Sequence, residues 1–185
     1  MKVLVTAFTP FNNKMTNTTM EVIKLLENVD KVILPVSYAS SIKELLKAYE
    51  LYKPDYILSL GEANRSGLIE IERYAHNLMG SSIADNDGVV INNTPIKDGS
   101  ICLTPNYDVY DVTQKLKQDG FKVIESHTAG TFICNLVMYK VLELKEEKKI
   151  KDGAFIHIPH IEGNNNDVQI IGKCITKFID YFTKN

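Results

Sequence analysis

Apolar residues follow two alternating rhythms along this chain. Short runs rich in β-branched and aliphatic side chains fall at residues 3–8, 31–36, 56–60, 122–126 and 153–159, and turn formers follow them. Runs of that length read as strands, and near-continuous apolarity marks strands covered on both faces. Between them lie segments with the spacing of amphipathic helices. Asn17, Thr18 and Thr19 open the first, with Met20, Ile23, Leu25 and Leu26 expected on its buried side. Glu21 falls in its first turn, where the helix dipole favours an anion. Ser40 or Ser41 is expected to cap the second, which runs to about Leu51 ahead of Pro54. Its inner face would carry Ile42, Leu45, Leu46 and Tyr49. A third helix begins at Tyr110 and ends near Gly120. A fourth spans about 131–148 with Ile133, Val137, Val141 and Leu144 as its buried stripe, and a fifth occupies 170–182.

Two stretches fit neither rhythm cleanly. Residues 68–78 alternate well enough to be extended, with Glu70, Glu72, Tyr74 and His76 on one face and Ile69, Ile71 and Ala75 on the other. Residues 80–106 are rich in Gly, Asn and Asp and read as a long excursion containing a hairpin, not as a linker between domains. Strands and helices alternate throughout the rest. The pattern therefore predicts a single α/β domain over residues 1–185, with helices on both faces of a mostly parallel sheet.

Composition narrows the function classes. A chain of 185 residues can bury one full core, and 44% hydrophobic with 24% charged residues is ordinary for a globular protein. A net charge of -2 offers no basic footprint for nucleic acid and no polybasic anchor for a membrane. No apolar run reaches the length of a membrane span, and nothing resembles a signal peptide. Cys102, Cys134 and Cys174 are odd in number and widely spaced, which argues against a disulfide framework or structural zinc and for a reducing cytoplasm.

Catalytic groups in open α/β sheets gather beyond the carboxyl ends of strands. That rule selects the loops at 8–13, 61–67 and 126–130, and the segment from His157 onward. In 126–138 a strand ends, the chain turns at Gly130, and Cys134 enters the first turns of a helix. Backbone N–H groups there favour thiolate over thiol; equally, a cysteine in an apolar helix is commonly a core side chain. His157 interrupts the apolar run Ala154, Phe155, Ile156, Ile158, which suits either a catalytic imidazole or a satisfied core histidine. Glu72 reads as a carboxylate that could orient that imidazole, or as an exposed strand residue paired with a lysine or arginine. A Cys–His–carboxylate set is chemically coherent, because the imidazole manages the thiol proton while the carboxylate fixes its tautomer. His157 and His160 are separated by Pro159 outside a helix and share no face, so no metal site is expected. The loop GEANRSG lacks both the P-loop lysine and the spacing of a dinucleotide fingerprint, and no cofactor is expected.

Taken together, the motifs resemble the pyroglutamyl peptidase I (pyrrolidone-carboxylate peptidase) family of cysteine peptidases over nearly the whole chain. MKVLVTAFTPF is similar to its opening strand and F-x-P-F loop, IEIERYAHN to its glutamate segment, and ADNDG to its P-D-N-x-G turn. AGTFICNLVMY is similar to the cysteine segment A-G-x-x-x-C-N-x-V-M-Y, and FIHIP to the histidine strand. The resemblance implies a three-layer α/β/α sandwich around a mostly parallel, mixed sheet. It also implies Cys134 as nucleophile, His157 as base and then acid, Glu72 as orienter, and Phe8 and Phe11 as apolar walls of a ring pocket. The implied reaction cleaves the bond after an N-terminal pyroglutamyl residue through a thioester, on N-terminally pyroglutamylated peptides, in a cytoplasmic homotetramer. Three departures stand out: Asn12-Asn13 for a Gly-Gly, an arginine displaced to Arg65, and a shorter segment over 162–167. They motivate a rival expectation, a non-peptidase relative on the same scaffold, amidase-like or ligand-binding, with an altered ring pocket.

Overall fold

The apolar runs assemble into one sheet enclosed by helices. The computed structural model describes residues 1–12, 14–63, 66–99, 101–162 and 165–184. In chain order the strands are β1 (Val3–Phe8), β2 (Asp30–Leu34), β3 (Tyr56–Glu62), β4 (Ile69–Glu72), β5 (Ala75–His76), β6 (Cys102–Leu103), β7 (Val123–Ser126) and β8 (Asp152–Ile158). The helices are α1 (Thr18–Leu25), α2 (Ser40–Tyr52), α3 (Val109–Gln118), α4 (Ile133–Glu146) and α5 (Asn165–Phe182). Six strands form the main sheet in the order β2-β1-β3-β8-β4-β7, while β5 and β6 pair as a separate antiparallel ribbon. Every neighbour in the main sheet is parallel except β4 against β8.

Side-chain alternation in the strands makes the three layers. Val3, Val5 and Ala7 of β1 join Ala154, Ile156 and Ile158 of β8 in a core that also takes in residues of α1, α3 and α5. Leu4 and Phe8 point the other way with Ile57 and Phe155, and α2 and α4 close that side. In α4 the expected stripe Ile133, Val137, Val141 and Leu144 is buried, and so are Leu136, Met138, Tyr139 and Leu142. A helix apolar nearly all round belongs inside a layer, and this one packs directly on β8. The mostly parallel, mixed α/β/α arrangement expected from the sequence is the one observed.

Four local expectations need correction. Leu25 is 37% exposed, because α1 turns Thr18, Thr19, Val22 and Ile23 inward instead. The threonines face in because they serve the backbone: Thr19 Oγ1 accepts the Phe8 N–H at 3.1 Å, and Thr18 Oγ1 accepts the Ile161 N–H at 2.9 Å. Neither Ser40 nor Ser41 caps α2; Ser37, earlier in the chain, accepts the Ser40 N–H on its hydroxyl at 3.0 Å. The extended run 68–78 breaks after Glu72, since the chain leaves the main sheet there to pair with β6. Finally, α5 starts at Asn165, several residues before Ile170.

Gly153, in β8, shows how closely α4 sits on the sheet: a Cβ there would lie 2.3 Å from Val141 Cγ1. Gly153→Ala is expected to cost about 1–3 kcal/mol through overpacking, seen as a Tm lower by several degrees; an unchanged Tm would contradict this packing.

Candidate active site

A cavity of ≈ 230 Å³ opens beyond the carboxyl ends of β1, β3 and β8, where the topology rule placed it. Phe8 and Phe11 line it, as do Cys134 at the start of α4 and His157 near the end of β8. Phe132, Ile133 and Val36 complete its apolar wall. Phe132 stacks obliquely on Phe11 with ring centroids 6.1 Å apart and meets Tyr38 edge-on at 5.6 Å. A larger cavity of ≈ 690 Å³ lies at the opposite end of the sheet, among Lys53, Asp55, Lys145 and Lys151, and holds no nucleophile or histidine.

The buried proton site is built across the one antiparallel junction. β4 runs beside β8 with Glu70 opposite His157, and Glu72, two residues on along the same face, reaches His157 Nδ1 with Oε1 at 2.6 Å. Glu72 is fully buried and His157 is 3% exposed. The reading of Glu72 as an exposed strand residue is therefore overturned. With Nδ1 taken by the carboxylate, Nε2 is the nitrogen left for Cys134, which lines the same cavity. Burial alone would discharge this histidine, but the Cys134 charge and hydrogen bond, together with Glu72, hold its pKa up at about 9. The imidazolium is therefore the favoured form at neutral pH.

The three cysteines differ as chemistry requires. Cys174 is buried and its thiol is pushed up to about 12 by desolvation, so it is inert. Cys102 is exposed on the β5–β6 ribbon. Cys134 is partly buried at the second residue of a helix, next to an imidazole and open to a cavity. Glu70, Glu72 and His157 also bring ligand-type atoms within 4.8 Å of one another, the one such cluster among the described residues. Its carboxylates already serve neighbours: Glu72 holds His157, and Glu70 accepts the Ser66 hydroxyl at 2.7 Å. Proton management suits this donor set better than metal ligation.

Supporting contacts hold each part in place, and several of the residues had drawn no role from the sequence. Asn135, fully buried beside Cys134, accepts the His76 N–H at 2.9 Å and donates to the carbonyls of His76 and Leu78 at 2.8 Å each. It ties α4 to the segment following Glu72. Its signal was legible: an amide inside a helix that is otherwise apolar all round needs partners. Gly130 takes φ 79°, where glycine is at ease, and Thr131 Oγ1 donates to the Gly80 carbonyl at 2.6 Å. The buried Asp85 accepts the Tyr38 N–H at 2.8 Å, while Asn86 donates to the Pro10 carbonyl at 3.0 Å, so the 85–88 turn steadies the Phe8–Phe11 wall. Asn12 adopts φ 54° without a glycine, as asparagine can. Asn13 and the displaced Arg65 lie outside the described residues.

Glu62, at the end of β3, is a further acid on the cavity wall. Burial works against its carboxylate, but the Thr18 N–H at 2.6 Å, His160 and Lys14 together hold it below the usual range. Lys14 Nζ lies 2.9 Å and His160 Nδ1 3.0 Å from Oε1, and Glu62 in turn keeps His160 raised.

The chain is similar to known proteins over nearly its whole length. A family model described as pyroglutamyl peptidase matches residues 1–175. A pyrrolidone-carboxylate peptidase of Fusobacterium nucleatum is 40% identical, covering 95% of this chain and 83% of that protein. One from Thermoanaerobacter pseudethanolicus is 34% identical, covering 95% and 88%. The crystal structure of a pyrrolidone carboxyl peptidase from Fervidobacterium islandicum matches with TM-score 0.92 at 28% identity, over 100% of this chain and 99% of that one. A mutant pyrrolidone carboxyl peptidase from Pyrococcus furiosus matches with TM-score 0.90 at the same identity.

Asn135→Ala removes three buried hydrogen bonds at once. The expected loss is about 3 kcal/mol in denaturant unfolding, with faster amide exchange at His76; a loss under about 1 kcal/mol would contradict the anchoring role.

Proposed function

The chain belongs to the pyroglutamyl peptidase family, and on that premise we propose that Cys134, His157 and Glu72 are the nucleophile, the proton carrier and the orienting carboxylate of its peptidase reaction. The enzyme is a cysteine peptidase that removes an N-terminal pyroglutamyl residue. The observation that carries the residue assignment is the buried Glu72–His157 contact behind an aromatic-lined cavity whose wall holds both His157 and Cys134.

The chemistry follows from the charges. The Cys134 sulfur is the nucleophile, and the His157 imidazole beside it manages the proton. The thiolate adds to the carbonyl carbon of the pyroglutamyl residue, and negative charge moves to its oxygen. N–H groups in the first turn of α4, which have no intrahelical acceptor, are the available donors for that oxyanion. The intermediate collapses as His157 Nε2 gives its proton to the leaving nitrogen, breaking the C–N bond and leaving a thioester on Cys134. Water then enters; its oxygen bonds to the thioester carbonyl carbon as His157 takes one of its protons, the C–S bond breaks, and pyroglutamate leaves with the thiolate restored. Throughout, Glu72 keeps the Nδ1 proton and the ring orientation fixed.

Substrate choice is consistent with the cavity. A pyroglutamyl N-terminus is a lactam with no ammonium, so it requires apolar surface for the ring and a few polar groups for the amide. Phe8, Phe11 and Phe132 offer the former, while Asn17 and Glu62 stand on the same wall. The rival reading, an amidase-like or ligand-binding relative, predicts a reactive Cys134 with no turnover of pyroglutamyl conjugates. We include in the proposal that residues 1–185 act as one domain, and that the enzyme works as a homotetramer in the cytoplasm. No described helix is long and apolar enough to cross a membrane.

Cys134→Ala is expected to abolish release of a reporter amine from a pyroglutamyl conjugate, and turnover at the wild-type rate would overturn the assignment. Because the His157 pKa is raised, the proton needed by the leaving amine persists up to about pH 9 and is lost above it. kcat/KM should therefore decline about tenfold per pH unit beyond that point. A decline beginning near the ordinary histidine pKa would contradict the charged pair.

A further inference from the structure

The imidazole at the centre of the site is held by Glu72 on one edge, and its other edge lies against β3. Gly61 and His157 are direct partners in the parallel register of β3 and β8. A Cβ on Gly61 would sit 2.8 Å from His157 Cδ2 and 2.9 Å from Nε2, and 2.8 Å from Phe155 Cε1. Real Cβ atoms do not approach other heavy atoms that closely. The φ of Gly61 lies outside the left-handed region, so its backbone does not call for glycine. Space is what requires it.

We infer that Gly61 is a positioning residue for this peptidase: the bare backbone of β3 is the bed on which the Cδ2–Nε2 edge of His157 lies, and this sets where Nε2 meets the Cys134 thiol. The inference rests on the assignment of His157 as the proton carrier. The ring cannot retreat from an added methyl. Its Nδ1 is fixed to Glu72 at 2.6 Å, and the Phe155 ring, fully buried, stands 5.0 Å away centroid to centroid. The methyl would instead tilt the imidazole about its bond to Cβ, moving the one nitrogen that exchanges protons with the nucleophile. A misplacement of about 1 Å at such a group costs on the order of 100-fold in rate.

The test compares Gly61→Ala with Gly153→Ala, which overpacks the opposite end of β8 against Val141 and touches no catalytic group. Both should melt earlier than wild type. Only Gly61→Ala should lose about 100-fold in kcat with KM nearly unchanged, and only it should move the upper limb of the pH–rate profile below its wild-type position. A Gly61→Ala enzyme with wild-type kcat and an unmoved limb would overturn the inference. Should the methyl's contact with Phe155 prevent folding, Gly61→Ala in a Phe155→Leu background, measured against Phe155→Leu alone, isolates the contact with the imidazole. There too, an equal kcat and an equal limb would overturn it. The underlying assignment fails separately: it falls if Cys134→Ala retains turnover, whereas an inactive Cys134→Ala beside a fully active Gly61→Ala removes only the role of Gly61.

Discussion

A carboxylate and an imidazole, each almost wholly out of water, depend on one another in this fold. Glu72 is fully buried and His157 nearly so; desolvating either charge alone would cost several kcal/mol. Their 2.6 Å contact makes both tolerable, and it is made across the antiparallel pair of β4 and β8. The single reversed strand pair of the main sheet is thus where carboxylate and imidazole meet. Asn135 then secures the chain just beyond Glu72 to the helix that carries Cys134, so acid, imidazole and thiol are fixed relative to one another by two independent links.

Around that fixed centre the cavity is assembled from loops, and each loop has its own anchor. The Phe8–Phe11 wall is tied to the 85–88 turn through Pro10 and Asn86. The approach to α4 is stitched to Gly80 by Thr131. Glu62 joins the start of α1 to Lys14 and to His160 after β8, which closes the remaining side. The carboxylate–imidazole pair sits within the sheet, whereas the cavity in front of it is walled largely by loops. That division suits an enzyme whose reacting groups need sub-ångström placement while its ring pocket admits and releases ligand.

Much of this was legible in the residues. Strands with near-continuous apolar runs, such as β3 and β8, were found within a residue or two of their limits, because being covered on both faces leaves an unmistakable pattern. Cys134 and His157 stood out as polar or reactive groups in apolar settings. Glu72 did not: its neighbours Glu70 and Arg73 make the segment read as a solvated face. Its burial follows from β4 lying between β8 and β7, which no local pattern encodes. The inward threonines of α1 were missed for a related reason, since their hydroxyls serve distant backbone partners, whereas Ser37 caps α2 from three residues before Ser40. Asn12, which stands where the resemblance has a glycine, takes a left-handed conformation that asparagine tolerates.

The central claim is that Glu72 and Cys134 hold a buried imidazolium at neutral pH, and titration of the His157 ring by nitrogen-15 NMR in wild type and in Glu72→Gln tests it most directly. The account predicts an imidazole that keeps its proton to about pH 9 in wild type and loses it at distinctly lower pH once the carboxylate is gone. A ring that titrates near the ordinary histidine value in both proteins would contradict it.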